Sequence, residues 1–134
     1  MAVRPKHVPQ EGLKLKVKRA SAGLGLFAGE DIKKGTCIIE YTGPLVTNKE
    51  ADEINSRYLF AVNQGKTIDG SGRDNKARYV NHGCKPNAET DVYKNRVFIT
   101  AIKNIKAGDE ITYNYGKEYF DQFIKPYGCR CGRH

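Results

Sequence analysis

The 134-residue chain has no apolar run approaching the ~20 residues that a membrane helix needs. Met1–Gln10 is polar and charged and lacks the hydrophobic segment of a secretory signal. Cysteine is sparse: Cys37, Cys84, Cys129 and Cys131 are too few for a disulfide framework, and Cys129-Arg130-Cys131 is a close pair. A reducing compartment with thiols free or on metal is therefore expected. There is no internal repeat, no low-complexity tract, and too little chain for two domains or for a separate cofactor domain. These absences together predict a single soluble, intracellular domain.

Charge is present in excess, with 23 Lys+Arg against 15 Asp+Glu for a net +8. Met1–Arg19 carries +5 of it and Lys125–His134 the other +3, so Ala20–Ile124 is neutral. A nucleic-acid-binding domain would spread basic charge over a folded face, whereas charged ends are usually solvated tails. Nucleic acid is accordingly expected to be at most an indirect partner.

The elements read as mostly strand. Leu13–Arg19 alternates Leu13, Leu15 and Val17 with Lys14, Lys16 and Lys18, the period of a half-exposed strand with lysines on its open face. Leu24–Ala28 and Cys37–Tyr41, separated by the turn Asp31–Gly35, suggest a hairpin or meander. Asn48–Arg57 is the best helix candidate, with Asn48 as N-cap. Tyr58–Val62, Lys66–Ile68, Ala88–Val92 and Arg96–Ile102 follow as short strands. After a turn at Lys106–Asp109, Glu110–Tyr115 is expected to align Ile111, Tyr113 and Tyr115 on one face.

Gly23-Leu24-Gly25-Leu26 stands between two strands, so it is not the strand-to-helix glycine turn of a dinucleotide fold. Alone it reads first as a tight turn using glycine's access to positive φ. Asn81-His82-Gly83-Cys84-Lys85-Pro86-Asn87 concentrates two amides, an imidazole, a thiol and a proline, a mixture that a surface loop does not need. Gly108–Gly116 contains the paired Tyr113 and Tyr115, ordinary in a sheet unless joined to something else.

What joins them is their order along the chain. Gly23-Leu24-Gly25, Tyr41-Thr42-Gly43, Arg78 to Asn87, and Gly108 to Gly116, followed by Cys-x-Cys, resemble the SET domain of protein lysine methyltransferases. The resemblance runs from about Leu15 to Cys131 and looks most like the compact viral or bacterial forms. Two positions depart from the family pattern: Gly83 replaces the usual serine, a small-for-small change expected to leave the loop path intact, and Asn114 replaces the usual aspartate. The implied fold is mainly β, small twisted sheets with few short helices and a C-terminal pseudoknot, divided as a basic arm 1–12, the SET domain 13–120 and a partial post-SET segment 121–134.

The resemblance also implies chemistry. S-adenosylmethionine, leaving as S-adenosylhomocysteine, would be held around Gly23, Leu24, Gly25 and Leu26, with Tyr41, Arg78, Asn81, His82 and Tyr115. The substrate lysine would pass between Tyr41, Tyr58, Tyr113 and Tyr115. Tyr115 matches the family's catalytic tyrosine, and Tyr113 matches the position that sets how many methyls fit, tyrosine there favouring monomethylation. Cys84, Cys129 and Cys131 match three ligands of a post-SET zinc; the fourth cysteine would fall beyond His134, leaving His134 as a substitute, or no zinc at all. The partner would be a lysine-bearing protein or peptide, a histone tail or another basic protein, met in the nucleus or, in a bacterium, the cytoplasm. A minimal domain could also complete its channel by forming a homodimer. The competing expectations are a non-catalytic SET-like peptide-binding module and a nucleic-acid-associated basic protein.

Overall fold

The computed structural model describes residues 7–20, 23–54, 58–63 and 65–114. In chain order its strands are β1 (Leu15–Ala20), β2 (Gly23–Ala28), β3 (Cys37–Tyr41), β4 (Leu45–Thr47), β5 (Leu59–Asn63), β6 (Lys66–Asp69), β7 (Asn81–His82), β8 (Ala88–Tyr93), β9 (Arg96–Ala101) and β10 (Thr112–Tyr113). One helix, α1 (Asn48–Glu53), follows β4, and a 3-10 turn at Lys76–Tyr79 precedes β7. The fold is thus mainly β, and no described helix is long and apolar enough to cross a membrane.

The strands form small sheets rather than one large one. β1 and β2 make an antiparallel hairpin, β4-β6-β5 and β3-β9-β8 are three-stranded antiparallel sheets, and β7 pairs with β10 in parallel. The expected hairpin therefore lies between β1 and β2, whereas β2 and β3 enter different sheets. The cause is Ile32, 2% exposed, which exchanges main-chain hydrogen bonds with Ile105 and redirects the chain before β3 begins. β1 is an edge strand whose Lys16 and Lys18 are exposed, which blunts further pairing.

Where a strand is covered on both faces, alternation gives way to a continuous apolar run. Val97, Phe98 and Ile99 of the central strand β9 are all at most 1% exposed; Val97 and Ile99 join Leu26, Ile105 and Ile111 in the core cluster, while Phe98 lies against the ring of His7 with centroids 5.3 Å apart. The same holds after the Lys106–Asp109 turn. Ile111, Thr112 and Tyr113 are all buried, so both faces of the chain are covered there, and the strand is only two residues long.

α1 is shorter than expected, ending at Glu53, with Thr47 rather than Asn48 as its N-cap. The Thr47 hydroxyl accepts from the Glu50 N–H, and the Glu50 carboxylate accepts from the Thr47 N–H, both at 3.1 Å. This reciprocal box, spelled Thr47-Asn48-Lys49-Glu50, fixes where the helix starts.

Candidate cofactor-binding and methyl-transfer site

The two glycines of Gly23-Leu24-Gly25 do different work. Gly23 has φ +110°, a conformation that L side chains rarely adopt, and a Cβ there would meet nothing within 4 Å. Gly25 is glycine because of close contact: a Cβ on it would lie 2.5 Å from Glu110 Oε2, 3.0 Å from Ala20 Cβ and 3.2 Å from Asn81 Nδ2. Between them Leu24 is 53% exposed, while Leu26 is fully buried and anchors the strand.

Asn81 is brought to this strand from far along the chain. Its Nδ2 donates to the Leu24 carbonyl at 3.0 Å and to Glu110 Oε2 at 2.8 Å. Both amide hydrogens are thereby used, and Oδ1 remains as the acceptor of the group. The neighbouring segment is stitched by a second carboxamide, Asn87, 5% exposed: its Oδ1 accepts from the Thr112 N–H at 2.9 Å and its Nδ2 donates to the Glu110 carbonyl at 2.8 Å. The β7–β10 pairing, Asn81 opposite Thr112 and His82 opposite Tyr113, is extended by the Gly83 N–H donating to the Tyr113 carbonyl at 3.0 Å.

Gly83 is more constrained than a small-for-small exchange implies. A Cβ on it would lie 2.5 Å from Thr112 Oγ1 and 2.7 Å from Thr112 Cβ, so serine at 83 requires one of the two paired segments to shift. Thr112 fills the space that glycine leaves.

A second cluster gathers aromatic candidates. Tyr41, 4% exposed, donates its hydroxyl to the Tyr58 carbonyl at 2.6 Å and tilts against Phe60 with ring centroids 5.6 Å apart. The guanidinium of Arg78 sits 4.4 Å from the Tyr58 ring centre and 5.3 Å from that of Tyr79, and it donates to the Ser71 carbonyl. Arg78, expected beside the cofactor, is here a cation on an aromatic face. The buried Asn75 holds this cluster, accepting from the Thr42 N–H at 3.0 Å and donating to the Gly70 carbonyl at 2.9 Å.

Gly23, Leu24, Gly25, Leu26 and Asn81 therefore come together, Tyr41, Tyr58 and Arg78 form a neighbouring group, and His82 and Tyr113 face each other in the β7–β10 pair. Tyr115, Cys129, Cys131 and His134 lie outside the described residues. Among the described residues no cluster of three or more His, Cys, Asp or Glu could hold a metal; the half-buried Cys84 thiol lies 3.5 Å from His82 Nε2. Cys37 is buried in β3, where burial pushes its thiol pKa up, so it belongs to the core. Glu110, Asn87 and Asn75 had no assigned role from sequence. Their partners are remote in the chain, and only the motif membership of Asn87 and Glu110 marks them.

Comparison with known proteins places the chain in a family. A family profile described as SET domain matches residues 23–116. Human histone-lysine N-methyltransferase 2D is 34% identical over 122 residues, covering 82% of this chain and 2% of that protein. ASHH3 of Arabidopsis thaliana, also a histone-lysine N-methyltransferase, is 32% identical over 129 residues, covering 87% of this chain and 35% of that protein. Among solved structures, a humanized mutant of the Chaetomium thermophilum Polycomb Repressive Complex 2 bound to the inhibitor GSK343 superposes with a TM-score of 0.70 at 35% identity, over 78% of this chain and 15% of that one. The chain spans only about a third or less of the length of these curated relatives. With the profile matching most of the chain and the overall fold shared with a solved structure at 35% identity, the chain belongs to the SET-domain family.

Proposed function

We propose that this chain is a protein lysine N-methyltransferase that uses S-adenosylmethionine and acts on a histone tail or another lysine-bearing basic protein, adding chiefly one methyl group. The observation that carries it is the clasp of Asn81 on the Leu24 carbonyl beside the side-chain-free Gly25, next to the β7–β10 pair that leads towards Tyr115.

The residues present suit the cofactor. Asn81 Oδ1 is an acceptor for an ammonium, the exposed Leu24 offers apolar surface, and Gly25 leaves room for the close approach of Asn81 and Glu110. S-adenosylmethionine supplies a methyl on a sulfonium centre. The protein must bring a neutral amine in line with it, because a lysine ammonium has no lone pair. Tyr41, Tyr58, Tyr113 and Tyr115 provide an apolar, electron-rich wall that admits the cationic lysine, and desolvation there lowers its pKa so the proton leaves before attack. Tyr115 orients the amine, and the Tyr113 hydroxyl limits the room for further methyls. Zinc on Cys84, Cys129 and Cys131, with His134 as the remaining donor, is a separable part of the proposal; metal analysis of the purified chain decides it.

The test is incubation of the chain with methyl-labelled S-adenosylmethionine and mixed histones or a basic protein extract. Label on lysine, nearly abolished by Tyr115→Phe while cofactor still binds, is the expected result. Cofactor binding without transfer to any protein would leave a peptide-binding module in place of an enzyme. Tyr113→Phe should raise di- and trimethyl product, and an unchanged product ladder removes the monomethyl assignment.

A further inference from the structure

We infer that Glu110 is a positioning residue for the cofactor site, holding the Asn81 carboxamide in the one orientation that leaves its oxygen available to a cationic ligand; this rests on the cofactor use proposed above. An amide side chain can turn over about its last torsion, exchanging its oxygen and nitrogen. At Asn81 the nitrogen faces two acceptors at once, the Leu24 carbonyl and the Glu110 carboxylate. Turning it over would set Oδ1 against both, lone pair against lone pair. The carboxylate is the stronger of the two, because a hydrogen bond to a charged acceptor is worth about twice a neutral one.

Glu110 is itself held on every side. Asn87 Nδ2 donates to its carbonyl, it forms a bridge with Phe27, and the next residue's N–H donates to the Leu26 carbonyl at 2.8 Å. The backbone of residue 110 is thus locked to the strand that carries Gly25, and its carboxylate occupies the space a Gly25 side chain would need. Gly25, Asn81 and Glu110 act as one unit: the glycine makes room for the carboxylate, the carboxylate orients the amide, and the amide presents its oxygen.

The unit makes non-additive predictions that a purely structural role does not. By direct binding of S-adenosylmethionine, Glu110→Ala should weaken affinity about tenfold, and Glu110→Gln, which keeps an acceptor oxygen, by less. In an Asn81→Ala background, Glu110→Ala should have no further effect on affinity. Gly25→Ala, whose Cβ would meet the Glu110 carboxylate, should also weaken affinity, at least as much as Glu110→Ala, because the same Cβ crowds Asn81 Nδ2. Multiplying losses in the Asn81 and Glu110 pair would overturn the proposal. A second measurement needs no cofactor: by NMR, the side-chain NH2 signals of Asn81 should move in Glu110→Ala relative to the unsubstituted chain, and less in Glu110→Gln. Unmoved signals in Glu110→Ala exclude the clasp. Moved signals in a chain that binds no S-adenosylmethionine would retain it and overturn the cofactor reading instead.

Discussion

The β3-β9-β8 sheet and the β7–β10 junction are built by opposite means. In the first, extended antiparallel pairing of β9 with β8 and, across a register shift between Cys37 and Ile39, with β3 buries Val97, Phe98 and Ile99, and apolar burial does most of the stabilising. In the second, two residues pair with two, and carboxamide side chains satisfy neighbouring backbone groups: Asn87 caps the Thr112 N–H and the Glu110 carbonyl, and Asn81 reaches the Leu24 carbonyl. Apolar burial is non-directional and accepts exchange of one hydrocarbon for another. Side-chain stitching is directional, so it holds a site's geometry with little area but fails when one atom changes. The molecule places its stability in one region and its positional precision in the other.

The sharpest way to break this contrast is to hollow the sheet. Phe98→Ala removes a side chain 1% exposed from β9 and should destabilise the chain by about 3–5 kcal/mol, the range for large-to-small core changes. Urea denaturation should show a lower midpoint with an unchanged slope. The fraction that remains folded should bind S-adenosylmethionine as before, because no stitching residue is altered. A cofactor affinity that falls in the folded fraction would mean the two regions are not separable.

The converse change is Asn87→Ala. It leaves the buried Thr112 N–H without its acceptor and the Glu110 carbonyl without its donor, so a loss of about 1–3 kcal/mol is expected from the unsatisfied donor. Unlike Phe98→Ala, it should also weaken cofactor binding in the folded fraction, since Glu110 is no longer held. Asn87→Asp keeps the acceptor for Thr112 but loses the donor to Glu110, and should retain more stability than affinity. Equal recovery of both would contradict the division of labour.

The same contrast explains what the sequence disclosed. The β1 strand, the apolar strands and the turns at Gly35 and Gly108, with φ of +90° and +92°, are local features written in consecutive residues, although Val17, expected on the covered face of β1, is exposed like the lysines beside it. The ordered motifs carried the fold, because their order constrains pieces that no single stretch defines. The β10 segment was legible as part of an expected strand at Glu110–Tyr115 and its meeting with the Asn81 loop followed from the ordered motifs, but Asn81–His82 was not legible as a strand, because two residues have no period. Glu110 stood inside a recognised motif without a role, because its side chain is defined by Asn81, 29 positions away. The helix cap differs again. Thr47-Asn48-Lys49-Glu50 is a legible capping signature, but Asn48 is itself a favoured N-cap residue, and only the reciprocal bonds between Thr47 and Glu50 decide between the two.

That cap offers the smallest test, an exposed counterpart of the buried stitching. Thr47→Ala removes the acceptor for the Glu50 N–H and should destabilise by about 1 kcal/mol, less than Asn87→Ala because water can replace the lost partner at an exposed helix end. The pH dependence has a definite sign. The hydrogen bond from the Thr47 backbone N–H, joined by its side chain, holds the Glu50 carboxyl below its ordinary pKa. A carboxyl depressed in the folded state contributes stability above its unfolded pKa and loses it as pH falls through the folded value. Hydrogen exchange at the Ala51 amide should therefore quicken, beyond its intrinsic pH trend, as acid protonates Glu50, and Glu50→Gln should show no such step. A step of equal size in Glu50→Gln would assign the acid sensitivity to some other group and leave the cap a purely neutral hydrogen bond.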